Sequence, residues 1–177
     1  MNKYICIFAL ILFQCLNSSN QNKTNQLKYS VHFSPHGGCE QSIVDLIHSA
    51  KKSIKVQAYG FTNGKIIKAL IYPNPGVKVQ VILNKSDTKG DSLVEAESIE
   101  SFSDGIVYID KKHSIAHNKV IIVDSEILET GSFNFTENAE NNNAENCLII
   151  YDANLAKQYE DNWDLHMKHS ELLKLPN

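Results

Sequence analysis

Positive charge is not in excess in this chain. Its 177 residues carry 17 Lys and Arg against 20 Asp and Glu, a net charge of −3 with the seven His neutral. The sequence pI is about 6.1. No whole-molecule field draws such a chain to a polyanion, so any anion it binds must be held by local groups. Cysteine is scarce too. There are four, none in a CxxC spacing, which excludes the zinc-finger pattern. Long apolar runs are missing: the longest, YICIFALILF, has ten residues, against the ~20 that a membrane-spanning helix needs. No internal repeat is present, and nothing marks a second domain.

What remains is an ordinary globular composition, 42% apolar, of a length that favours one domain with a real core. The N-terminus reads separately. One lysine, the apolar run and then the polar NSSNQNKTNQ have the layout of a secretory signal peptide. Residues 1–20 are expected to be that signal or an N-terminal anchor, 21–27 a polar linker, and 28–172 the folded domain. Cleavage is expected between Cys15 and Asn20. The chain is then secreted or periplasmic, or held at a membrane through that segment. Cys39 and Cys147 are left in the folded part, either paired or as two buried thiols.

Along the domain, strand and helix patterns alternate. Strands are expected over 28–35, 53–62, 76–83, 105–110, 117–124, 126–132 and 145–152. Helices are expected over 39–52, 64–72, within the stretch to Phe102, and over 153–169, where Leu155, Tyr159, Trp163 and Met167 form one stripe. This predicts an α/β domain with a mixed β-sheet flanked by helices on both faces.

The chemistry concentrates in IAHNKVIIVDSEILETGSFNF, residues 115–135. Side chains alternate faces along a strand, so His117 and Lys119 are expected to share one face, and Ser132 and Asn134 another at the far end of the return strand. A turn at Asp124–Glu126 brings the two ends together. Imidazole, ammonium, hydroxyl and carboxamide then converge. Three are donors to anionic oxygens and one is a nucleophile or acid–base group, which suits a phosphodiester. Asp124 sits at the turn, where its simplest role is to accept backbone N–H bonds or fix the hairpin. Asp110, His113 and His117 suggest a metal site only weakly. His166 and His169 read as surface or core residues.

H-x-K-x4-D-x6-G-S-x-N, here His117, Lys119, Asp124, Gly131, Ser132 and Asn134, resembles the HKD motif of the phospholipase D superfamily. NAEN at 143–146 resembles the family segment that supplies an acidic partner to the histidine. QAYGFTN, FSPHGGCEQSI and the closing NWDLHMKHS are similar to other family segments, so the resemblance spans roughly residues 29–170. A single HKD motif matches the short Nuc-type bacterial endonucleases, which pair as homodimers. The resemblance implies a phosphodiesterase with no cofactor and no metal, working through a phosphohistidine. His117 would act as nucleophile in one copy and as acid in the other. Lys119 and Asn134 would hold the non-bridging oxygens, Ser132 would add a donor, Glu145 would orient the imidazole, and Asp124, the aspartate of the motif, is counted with these as a candidate catalytic residue. Nucleic acid, DNA or RNA, is the expected substrate, with a phospholipid membrane as the alternative. A nucleic-acid-binding module without turnover is the reading from another class. Gly60, where the family commonly has Ser, and Asn84, where Asp is usual, depart from the pattern, as does the lack of Arg-Gly before the strand at 76–83.

Overall fold

The computed structural model of the chain describes residues 27–174. The segment expected to be a signal or anchor lies outside them. Eight strands form one sheet in the order β1-β7-β6-β5-β2-β3-β4-β8. They are β1 Lys28–Ser34, β2 Ser53–Ala58, β3 Lys78–Asn84, β4 Ile106–Asp110, β5 Val120–Val123, β6 Ile127–Gly131, β7 Glu145–Tyr151 and β8 Glu171–Leu172. β2, β3 and β4 run parallel, and every other pairing is antiparallel. The helices are α1 Cys39–Ser49, α2 Gly64–Ile71, α3 Gly90–Phe102, α4 Glu137–Asn141 and α5 Ala153–Met167. This is the expected mixed α/β sandwich.

Strand periodicity divides the core into two layers. Ile54, Val56, Ala58, Val81, Leu83, Ile121 and Val123 face α1, α2 and α3, meeting Ile43, Ile47, Ile66, Leu70 and Ile99. Ile82, Val120, Ile122, Leu128 and Ile150 face the other way, onto α5. Leu155, Tyr159, Trp163 and Met167 of α5 cover that layer, so the expected stripe is the buried one. Trp163 is nearly fully buried, and its Nε1–H donates to the Val56 carbonyl at 2.9 Å. Losing such a ring costs about 3–5 kcal/mol. Asn63 and Asp152 cap α2 and α5, each accepting backbone N–H groups of the first turn.

One local result differs from the sequence reading. The strand expected over 117–124 begins only at Val120. The preceding backbone gives its polar groups to side chains instead of a ladder. Ala116 N–H donates to Asn84 Oδ1 at 2.8 Å, and the His117 carbonyl accepts from Lys119 Nζ at 2.9 Å. The two cysteines among the described residues are free, the buried-thiol outcome of the two expected, one at the start of α1 and the other in β7.

Candidate active site

β2, β3 and β4 end, and β5 and β7 begin, at one edge of the sheet, because β5 runs antiparallel to β2 with Gln57 opposite Val120. β6 ends there as well, with Gly131 opposite Cys147. The loops at that edge carry the motif residues. The β5–β6 hairpin pairs Val120 with Thr130, which places Asn118 and Lys119 beside Gly131 and Ser132 as the turn position required. Gly131 cannot carry a side chain, since a Cβ there would stand 2.2 Å from the Asn146 carbonyl oxygen.

A cavity of about 320 Å³ opens at this edge, lined by His117, Asn118, Lys119, Gly131, Ser132 and Tyr159 among others. His117 is exposed and Lys119 is buried beneath it. The Lys119 Nζ lies 3.0 and 3.1 Å from the two ring nitrogens of His117. Burial pushes the Lys119 ammonium below the usual lysine range, and the charge of Glu145 works in the opposite direction. Although the strand is absent at 117–119, the side chains still meet, because Lys119 folds back over the His117 carbonyl.

Ser132 Oγ donates to Glu145 Oε2 at 2.6 Å, and Asn143 Nδ2 donates to Glu145 Oε1 at 3.0 Å. The Asn146 backbone N–H in turn donates to Ser132 Oγ at 3.1 Å. Both carboxylate oxygens are thereby engaged, and neither bonds His117 of the same chain. The bond expected between Glu145 and His117 is therefore not made within one chain, the two carboxylate oxygens being taken by Ser132 and Asn143. Asn134 is half-buried beside Gly60 and is not among the residues lining that cavity. A Cβ at Gly60 would lie 3.6 Å from Asn134 Cβ and 3.2 Å from Thr136 Cγ2. Gly60 also has φ +74°, so a serine there would be strained as well as crowded. The Asn134 Oδ1 is buried without a hydrogen-bond partner among the described residues.

Asp124 is a correction to the set of site residues. It lies at the far end of β5, in a two-residue turn with φ +56° beside Ser125 at +58°, the primed hairpin type. Its carboxylate accepts backbone N–H bonds from Lys51 at 2.9 Å, Lys52 at 2.8 Å and Ser53 at 2.9 Å. Burial opposes the charge, but those donors prevail and hold the carboxyl below its usual range. Asp124 pins the hairpin to the loop before β2, which is the structural role its turn position suggested, and it touches nothing in the cavity.

Several residues that stand at the site were given no role there by the sequence. Tyr59 follows β2, with its ring centroid 4.6 Å from that of His117 and 5.2 Å from Lys119 Nζ. Asn143 and Asn146 flank Glu145 within the NAEN segment and supply its surroundings. Asn84, at a position where the family has Asp, keeps the carbonyl oxygen that holds Ala116, one residue before His117.

The family profile described as "Cardiolipin synthase, PLD-like domain" matches residues 43–166. A phospholipase D of Rickettsia conorii is 43% identical over 145 residues, covering 81% of this chain and 72% of that protein. The crystal structure of a phospholipase D family member, Nuc from Salmonella typhimurium, superposes with a TM-score of 0.81 at 33% identity, covering 85% of this chain and all of that one. NucT from Helicobacter pylori shares the fold at a TM-score of 0.74 and 23% identity, covering 84% of this chain and all of that one.

Proposed function

We propose, from the premise that this chain belongs to the phospholipase D superfamily as a single-HKD, Nuc-type member, that it is an exported, metal-independent endonuclease working as a homodimer. The observation that carries the reading is the exposed His117 imidazole set directly over the buried Lys119 ammonium at an open cavity. An imidazole can attack phosphorus, and a fixed cation can hold the oxygens on which charge develops.

In the proposed reaction the His117 nitrogen forms a bond to phosphorus as the ester oxygen leaves. His117 of a second copy protonates that oxygen. The phosphohistidine is then cleaved by water, and the second imidazole takes the water proton. Lys119 holds the non-bridging oxygens; Asn134 joins it once its amide turns into the cavity, and Ser132, whose hydroxyl proton goes to Glu145 in the free chain, adds a donor by rotating toward the phosphate. No divalent cation is needed at the phosphorus, since those groups supply the stabilisation.

Two observations support pairing. One chain offers one motif histidine, while the chemistry uses a nucleophile and an acid together. Tyr29, Val31 and Phe33, at 60, 46 and 58% exposure, stand at alternate positions of edge strand β1, on a face that α5 leaves uncovered. Phe33 lies opposite Asn146, next to the site. A second copy seated there brings two His117 side chains toward one phosphate about a two-fold axis. In such a pair we assign Glu145 to the imidazole of the opposite copy.

The relatives at about 40% identity that are named phospholipase D favour a second reading, a hydrolase of membrane phospholipids, whose diester the same groups would cleave. Supercoiled plasmid DNA and phosphatidylcholine vesicles, each with and without chelator, decide between them. Plasmid nicking that survives chelation is expected. Turnover of vesicles alone would replace the nuclease reading, and turnover of neither would reject both. The shared site has its own test. Wild-type and His117→Asn chains are mixed equally, unfolded and refolded together. Random pairing leaves about a quarter of dimers with two intact histidines, so activity should fall to roughly a quarter, whereas independent sites would leave roughly half.

A further inference from the structure

Three other histidines gather at the same edge of the sheet, away from the cavity. Asp110 ends β4 with its side chain fully buried, and His113 follows in the loop to β5. His166 lies in the last turn of α5, and His169 just beyond it. The ring centroids of His113, His166 and His169 are 4.9, 5.1 and 5.4 Å apart, a nearly equilateral group. Each ring turns one nitrogen to the same oxygen. His113 Nδ1, His166 Nδ1 and His169 Nε2 lie 2.8, 3.0 and 3.4 Å from Asp110 Oδ2. These four atoms all fall within 4.8 Å of one another.

Hydrogen bonding alone accounts poorly for this arrangement. A carboxylate oxygen has about two lone-pair sites, so three N–H donors crowd it. Three imidazolium rings in contact would also repel, with one carboxylate to offset them. Three nitrogen lone pairs and one carboxylate oxygen around a small cation meet neither difficulty. Tetrahedral zinc, with bonds of ~2.0–2.1 Å, sets its ligand atoms about 3.3 Å apart, close to the separations about Oδ2. The other oxygen, Oδ1, is held by the backbone N–H groups of Lys112 at 3.0 Å and His113 at 3.2 Å. That fixes the carboxylate plane and leaves Oδ2 for a metal. In sequence the ligands form two pairs of one spacing, D-x2-H at Asp110–His113 and H-x2-H at His166–His169.

We propose that Asp110, His113, His166 and His169 form a structural site for a divalent transition metal, with zinc the best-fitting cation. Three nitrogen donors disfavour magnesium and calcium, which take oxygen ligands. Four protein ligands complete a tetrahedron, so the site is closed and not catalytic. Bound there, the metal clips the loop after β4 to the end of α5. Four residues beyond His113, that loop presents His117, so the metal anchors the base of the segment that carries the motif. The site does not depend on the phosphodiesterase reading.

The test uses the purified full chain, stripped with chelator and titrated with Zn²⁺ against a chromophoric chelator, and no substrate. One zinc per chain is expected, with the thermal midpoint rising about 5–10 °C when free zinc stands a hundredfold above its dissociation constant. Co²⁺ should give the intense visible absorption of a tetrahedral site. A His166→Gln/His169→Gln chain should lose both uptake and the midpoint shift, and His117→Asn should keep both. Should the double variant fail to fold, His113→Gln, at a half-exposed side chain, gives the same readout. Substoichiometric binding by the unmutated chain, or uptake unchanged in the double variant, overturns the site. Uptake lost in His117→Asn overturns the ligand set.

Discussion

His117 and the trio His113, His166 and His169 share one edge of the sheet, and two of the four stand on one loop, yet their neighbours differ. His117 is exposed, lies against an ammonium, and makes no hydrogen bond to a carboxylate among the described residues. The trio converges on a buried carboxylate that holds all three rings. Burial opposes the Asp110 charge, but the His166 and His113 contacts outweigh it and hold that carboxyl far below its usual range. What surrounds an imidazole thus decides its use. A ring left open beside a cation is available to an anionic phosphate, and rings tied to a shared carboxylate are available to hold structure.

The most severe way to break that contrast is His117→Asn. If the exposed ring is the nucleophile, turnover should fall by about 10⁴-fold or more, the scale of losing a nucleophile. The thermal midpoint should move by no more than about 2 °C, since surface substitutions fall within about 0.5 kcal/mol. Steady-state rates and a melting curve on the same sample check it, and near-normal turnover or unfolding removes His117 from the role.

Glu145→Gln sharpens the contrast by asking whether the cavity has a working carboxylate of its own. The amide keeps the shape and the Ser132 contact but loses the charge. A rate loss of about 10–100-fold is expected, the range for a residue that orients a ligand or base, with a displaced pH–rate profile and substrate affinity retained. An unchanged profile would mean that Glu145 serves Ser132 and Asn143 alone.

Asp124→Asn should affect stability and spare the chemistry. Removing charge from an acceptor of three backbone N–H bonds should cost about 1.5–3 kcal/mol at pH 7. The folded-state carboxyl of Asp124 is held below its usual value, so its stabilisation is present above about pH 4 and is lost as pH falls through the folded value. The gap between wild type and variant, read by urea unfolding, should therefore narrow on acidification. A constant gap from pH 7 to acid would mean that the charge contributes nothing there.

Much of the candidate site was legible because its signals are local. Residues 117–134 are one hairpin, and a two-residue turn at Asp124 fixes which residues stand opposite. The turn position of Asp124 was legible for the same reason, but the N–H donors that hold its carboxylate, from Lys51, Lys52 and Ser53, lie 73, 72 and 71 residues away and were not. The reading failed where backbone partners come from afar. Asn84 takes the Ala116 N–H from 32 residues away, so the strand cannot extend to His117. Tyr59 likewise joins the site from β2, and its place over His117 follows from the β2–β5 pairing and not from any motif.

The sequence by itself determined the alternation of strands and helices, the apolar stripe of α5, and the meeting of His117, Lys119 and Ser132, because each rests on periodicity or on contacts within one hairpin. Only the tertiary structure decided that His166 and His169, which read as ordinary surface or core histidines, close around Asp110 and His113. His166 and His169 are 56 and 59 residues from Asp110, and no local period encodes their approach. It arises because α5 must cover the layer of Ile82, Val120 and Ile122 with Trp163, and burying that ring delivers the end of the helix to the end of β4.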